Sequence, residues 1–212
     1  MKRPLSEAPK EPVHGSLPPF PSYSQYTYDQ ILGAFTQGPD RLRAAIAGLS
    51  EEELRIRARG PRQWSAHEIV LHTTDSEIQG TYRFRKVWAQ SGCELPSYDQ
   101  DAWARELDYL GSCTAEDREN ALELLAALRR AATPLLMRAT ADYWNRWGTH
   151  LAYGKITLRN VLELYADHTE RHIAQILQIR DILGKPTNLP LLLPDRLDLN
   201  SVHSPAITPT RP

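Results

Sequence analysis

The segment His168-Thr169-Glu170-Arg171-His172 sets two imidazoles four residues apart. Around it Val161, Leu164, Tyr165, Ile176, Ile179 and Leu183 recur at the three- and four-residue spacing of a core-facing helix. Each helical residue advances by about 100°, so an i, i+4 pair lies roughly 40° apart on one face. Both histidines fall on the apolar stripe and point inward together. A buried imidazole needs partners for its ring nitrogens, and leaving them without is costly. One metal ion could serve both rings; separate hydrogen bonds to nearby side chains or carbonyls are the alternative. A third ligand from elsewhere in the chain would favour the metal.

The chain has 7 histidines. His14 and His203 lie in proline-rich ends, and His150 sits in GTHLAYGK, read as a loop. His67, Glu68 and His72 look like the HExxH motif of zinc proteases with one residue too many. Five helical steps make about 500°, which leaves the two rings roughly 140° apart and unable to share an ion. Nor is HTERH the inverted HxxEH motif, because its glutamate comes one place early. Tyr165 and Thr169 stand three before each histidine of the pair, which excludes the Glu-x-x-His of ferritin-like di-iron sites. His72 remains, three residues after Ile69 on the face expected to look inward. One histidine from one helix and an i, i+4 pair from another make a three-nitrogen face with an open fourth position. That is the pattern of catalytic zinc; structural zinc is usually closed by four ligands.

These residues must be held by helices. A first helical region is expected from about Tyr28 to Leu49, interrupted at Gly38-Pro39. A second opens on the capping box Ser65-Ala-His-Glu68 and runs to about Ala89. A third opens at Thr114 and should turn Ala121, Leu124, Leu125, Leu128, Ala132 and Leu135 inward, with Pro134 a point of kinking. A fourth starts near Thr157 and stops before Gly184-Lys185-Pro186. Strand signals are almost absent, so the fold class is all-α, a four-helix bundle. Residues 23–186 form the bundle domain, 1–22 a disordered or loosely docked proline-rich tail, and 187–212 a proline-punctuated tail whose Leu189 to Leu193 stretch can pack back.

A chain of 212 residues supports one domain with a sizeable core. Its net charge of -1 gives no electrostatic reason to expect nucleic acid or an anionic membrane as partner. There is no apolar run of the roughly 20 residues a membrane span needs and no secretory h-region, so a soluble, cytoplasmic protein is expected. Cys93 and Cys113 are too few and too far apart for a disulfide framework or a CxxC site, which suits a reducing cytosol. The aromatics of TYRFRKVW would suit a homodimer surface.

QWSAHEIVLHTTDSE, then DQDAW, then Gly154 with Thr157-Leu158, and finally DHTERHIAQI, in that order, resemble the DinB-like superfamily of metal-binding four-helix bundles over roughly Tyr28 to Lys185. The long proline-rich ends depart from its compact members. The resemblance implies a divalent metal, zinc first and nickel second, on His72, His168 and His172. It also implies a small-molecule substrate and either of two activities. One is a thiol-dependent S-transferase using a low-molecular-weight thiol such as bacillithiol or mycothiol, the preferred expectation. The other is a metal-dependent hydrolase acting through metal-bound hydroxide. A non-catalytic metal-binding bundle is the third possibility. Asp75, a turn after His72, and Glu77 are candidates for supporting hydrogen bonds or proton transfer, and Arg83, Arg85 and Arg129 for a substrate carboxylate. Asp167 is expected to pair with Arg171 on the outer face. Tyr82, Trp88, Trp103, Trp144 and Trp147 are expected to serve as core and rim packing.

Overall fold

Every long helix begins on a hydroxyl residue that closes its first turn. The computed structural model describes residues 23–57 and 64–194. Its elements run α1 (Tyr28–Ile46), α2 (Glu51–Leu54), α3 (Ala66–Ala89), β1 (Cys93–Leu95), α4 (Gln100–Glu106), α5 (Ala115–Met137), α6 (Ala141–Trp144), β2 (Trp147–His150), β3 (Gly154–Thr157) and α7 (Leu158–Ile182). Thr27, Ser65, Thr114 and Thr157 cap α1, α3, α5 and α7, and Gln30, Glu68, Asp117 and Asn160 reach back to the cap's own N–H. α1 and α3 each pack on both α5 and α7, giving a bundle whose order around its axis is α1, α7, α3, α5. Gly184, at φ 68, adopts the left-handed conformation that ends α7. No helix of the described residues is long and apolar enough to cross a membrane.

The core falls into two apolar clusters with a polar layer between them. Phe35, Phe84, Ala132 and Tyr165 belong to one, and Leu42, Ile69, Leu125 and Ile173 to the other. On three of the four long helices the residues between those positions include buried polar groups: Glu77 with His72 on α3, Arg129 on α5, and Thr169, Glu170 and His172 on α7. Arg129 ties the layer together. Its Nε and Nη2 donate to Glu77 Oε2 at 3.0 and 2.7 Å, Nη2 also to Thr169 Oγ1 at 2.6 Å and the Tyr165 carbonyl at 3.0 Å, and Nη1 to the Phe35 carbonyl at 2.6 Å.

That last bond corrects the expected break in the first helix. α1 runs unbroken through Pro39. Proline lacks the N–H that would bond the carbonyl four residues back, and that carbonyl is Phe35's, which Arg129 satisfies. Gly38 makes the room: a Cβ there would lie 2.2 Å from Arg129 Nη1.

Other expectations are corrected as well. α5 buries Arg118, Leu122, Leu125, Arg129, Ala132 and Leu136, whereas Leu124 is exposed. Leu125 and Ala132 of the expected stripe are buried, but two of the inward positions are arginines, so an apolar count turns the stripe part-way round the helix. Three short strands form a sheet in the order β1, β2, β3, with β1 and β2 parallel and β2 and β3 antiparallel. At three or four residues each they are too short to show alternation, and His150, expected in a loop, ends β2 opposite Gly154. Asp167 does pair with Arg171, at 2.6 Å, but buried rather than on the outer face, and Tyr23 Oη donates to the same carboxylate at 2.5 Å. In TYRFRKVW, Phe84 is core while Tyr82 is exposed.

After α7 the chain turns back across the bundle. Leu189 and Leu191 pack on one apolar cluster and Leu192 and Leu193 on the other. Glu170, fully buried between the two histidines of α7, accepts from Arg41 at 2.7 and 3.0 Å and from the Leu192 N–H at 2.7 Å. The expectations for residues 1–22 and 195–212 lie outside the described residues.

Removing one partner of a buried ion pair strands the other's charge, which costs about 3–5 kcal/mol. Arg129→Ala should therefore lower the unfolding free energy by about that amount in urea titrations, and Arg129→Met/Glu77→Met together should recover a large part of it. A loss under about 1 kcal/mol would remove Arg129 from its central place in the fold.

Candidate metal centre

His72 lies well inside α3, and His168 and His172 stand one turn apart on the neighbouring α7. His168 Nε2 is 3.2 Å from His72 Nε2 and 3.1 Å from His172 Nε2, and one ligand nitrogen from each ring falls within 4.8 Å of the others. Two nitrogens bound to one zinc at about 2.0–2.1 Å and the tetrahedral angle would stand about 3.3 Å apart. The donor set therefore fits a divalent ion. Chemistry agrees: one ring nitrogen has a single in-plane lone pair or a single proton, and cannot serve two neighbouring nitrogens at once. A cation accepts a lone pair from each.

The residues around the cluster prepare it. His172 Nδ1 lies 2.7 Å from Gln175 Oε1, an acceptor that fixes the proton on Nδ1 and turns the lone pair of Nε2 inward. The pKa of His168 is held well below its ordinary value, by burial first, then by His172, Arg129, Arg171 and Arg83, so the ring is neutral and able to ligate at pH 7. Trp64, just before the α3 cap, places its ring 4.2 Å from that of His72 and stacks at 14° and 6.2 Å on His172. Glu68 accepts from Ser65 N and Oγ, both at 2.9 Å, and from Arg57 Nε at 2.8 Å, which fixes the start of α3.

The other predicted residues are placed as follows. Asp75 accepts from the Tyr109 hydroxyl; burial raises its carboxyl pKa, with the Tyr109 hydrogen bond opposing. Glu77 and Arg129 are occupied with each other in the polar layer. Arg83 is buried and donates to Tyr165 Oη at 2.8 Å and to the Pro96 carbonyl at 3.2 Å, while Arg85 is exposed and reaches only its own helix at Thr81 O, 3.4 Å away. Tyr165 lies against Gly80, where a Cβ would meet its ring at 2.5 Å. His67 stands apart from the cluster, its Nδ1 3.1 Å from Arg118 Nη1. Sequence reasoning assigned no role to Trp64, Gln175 or Tyr109. Gln175 was detectable, three residues after a predicted ligand on the same helix; Trp64 and Tyr109 arrive through folding between distant segments.

A bundle of four helices that converges three imidazoles from two adjacent helices defines a class of metal-binding helical proteins. The comparisons agree. A sequence model of the DinB superfamily matches residues 34–176, and the chain belongs to that superfamily. It is similar to "Putative metal-dependent hydrolase YfiT" of Bacillus subtilis, 29% identical over 171 residues, spanning 80% of this chain and 93% of that one. A protein of Geobacillus thermodenitrificans with the same metal-dependent hydrolase name is 26% identical over 178 residues, spanning 82% of this chain and 97% of its own length. The solved structure of Bacillus subtilis YfiT, described as having an unusual four-helix bundle topology, superposes with a TM-score of 0.70 at 26% identity, covering 78% of this chain and 94% of that one.

His150 offers a pH test away from the three ligands. Its Nδ1 accepts from the Ala152 N–H at 3.1 Å, and burial, with Arg83 adding, pushes its pKa down to about 4. A base whose folded pKa is depressed adds stability that is complete above the unfolded value near 6.5 and is lost as pH falls towards 4. The full shift corresponds to at most about 3 kcal/mol. His150→Gln, followed by urea unfolding of the metal-free protein from pH 7.5 to 4.5, should flatten the acid limb; an unchanged limb would show that His150 does not control it.

Proposed function

We propose that the chain is a divalent-metal-dependent enzyme acting on small molecules, with His72, His168 and His172 as its ligands, and that its chemistry is thiol-dependent S-transfer. Zinc is the first choice of metal and nickel the second. The convergence of three imidazole nitrogens, with no fourth His, Cys, Asp or Glu in the group among the described residues, is the observation that carries the reading. A divalent ion bound there would lower the pKa of a coordinated thiol, near 8.5 when free, so that its proton passes to solvent and the sulfur is left as a thiolate nucleophile for an electrophile.

The pairing of nearby carboxylates supports sulfur over water. Burial first, then His172, Arg129, Arg171 and Arg83, disfavour a positive charge on His168, and the arginines' field favours an anion beside it, thiolate or hydroxide alike. A thiol that loses its proton on binding needs no strong protein base. Glu77 is held by Arg129 and Glu68 by Arg57, which removes two carboxylates from that task. Trp64 covers one side of His72 and His172 and limits water there.

The hydrolytic reading is the second, favoured by the names of the relatives and by Asp75. Its raised pKa and its place one turn after His72 suit a group that takes a proton from water.

Protein purified without a histidine tag should carry about one divalent ion per chain by elemental analysis, and His72→Ala should remove it. Metal content unchanged by that substitution would refute the ligand set. The loaded protein should then consume bacillithiol, mycothiol or glutathione in the presence of an electrophile such as 1-chloro-2,4-dinitrobenzene, with His72→Ala at least a hundredfold slower. Ester or amide turnover without thiol loss would replace transfer by hydrolysis, and a loaded protein inert in both assays would leave a non-catalytic bundle.

A further inference from the structure

Part of the apolar stripe of α5 is left facing water. Leu124 is 43% exposed, Leu128 and Leu135 are half-buried, and Ala127 and Ala131 lie open between them. These positions recur at the three- and four-residue spacing of one helix face. The groove they line has a second wall. Thr74 Oγ1 of α3 donates to the Ala121 carbonyl of α5 at 3.0 Å, and one and two turns further along α3 come Ile78, 39% exposed, and Tyr82, 50% exposed. Apolar side chains scattered singly are normal on a surface, but a strip shared by two neighbouring helices marks a surface that associates.

The strip has an acidic end and a basic end. His67 meets Arg118, Thr74 meets Ala121, Glu77 meets Arg129 and Trp88 meets Arg138, so α3 and α5 run parallel. Glu116, Asp117 and Glu123 lie exposed in the first half of α5, while Arg130, Arg138 and Arg85 of α3 lie exposed towards the other end. None of these six has an ion-pair partner among the described residues. Glu119, between them in sequence, is turned the other way to Arg43 of α1.

That division of charge selects the partner. An anionic surface would be repelled at one end of the strip and a cationic one at the other. A second copy of the chain, related by a two-fold axis, fits both ends, because an isologous pairing lays each end of the strip against its opposite. With the axis beside Ala127, Glu116 and Arg138 lie eleven residues to either side, and Glu123 and Arg130 four and three, so the acids of each copy face the bases of the other. The small side chains of Ala127 and Ala131 let the two α5 helices approach where they cross.

We propose that the outer groove between α3 and α5 is the face through which two copies of this chain form a two-fold dimer. The apolar strip supplies the attraction and the charged ends set the antiparallel orientation. Nothing in this depends on the metal or on the reaction. In sedimentation and X-ray scattering across a concentration series, the full chain should associate to a dimer, and Leu124→Glu should raise the dissociation constant at least tenfold. Glu116→Arg/Glu123→Arg leaves both ends of the strip net basic, and Arg130→Glu/Arg138→Glu leaves both net acidic. Each double variant alone should associate at least tenfold more weakly than the wild type, with the circular dichroism of the folded chain, and the equimolar mixture of the two should recover the dimer. Salt at about 1 M, where the screening length falls to about 3 Å, should bring the double variants back towards the wild type but leave Leu124→Glu weak. A wild-type chain that stays monomeric up to about 1 mM, double variants that associate like the wild type, or no recovery on mixing would overturn the proposal.

Discussion

A guanidinium in the middle of the bundle decides how much polarity the interior can carry. Arg129 reaches α3 through Glu77, α7 through Thr169 and the Tyr165 carbonyl, and α1 through the Phe35 carbonyl, so one side chain from α5 touches all three other long helices. A buried charge is tolerable only when paired and fully hydrogen-bonded. Here the pairing is also positional, because those bonds can all form only when the helices stand at one level relative to one another. His72 belongs to the helix that carries Glu77, and His168 and His172 flank Thr169. The network that levels the helices therefore also levels the three imidazoles.

This arrangement separates two apolar clusters by a layer in which ligation is affordable. Glu170, Asp167 and Thr169 are all buried on the segment that bears the two α7 histidines, and each has its partner: Arg41 and the returning chain for Glu170, Arg171 and Tyr23 for Asp167, Arg129 for Thr169. One turn of helix thus presents imidazoles to the centre while its intervening polar groups are satisfied sideways. The membership of the DinB superfamily rests on the sequence match across residues 34–176, and the geometry gives that membership a physical content.

Features governed by local chemistry were legible in the sequence. The caps at Ser65, Thr114 and Thr157 depend on three or four neighbouring residues, and the helices they open begin where the sequence puts them. The inward pair His168 and His172 followed from helical periodicity, and His72 from elimination and face. Features governed by distant partners were not legible. Pro39 reads as a break until Arg129 is seen to take the orphaned carbonyl, and Arg129 reads as a candidate for a substrate carboxylate until Glu77 arrives from another helix. The sheet escaped notice because its strands are set by pairing across the chain, not by any run long enough to alternate. Trp64 reaches His172, and Tyr109 reaches Asp75, only because segments far apart in the chain fold together.

The junction at Thr157 leaves no slack. This residue is the last of β3, paired with Trp147, and at the same time the hydroxyl cap of α7. Strand and helix are consequently geared: adding or deleting one residue between this cap and the histidines would turn the imidazoles by about 100° out of phase with the hairpin. Length variation among descendants of this chain is thereby pushed away from the ten residues separating cap from first ligand, and towards segments whose ends are not locked to a sheet.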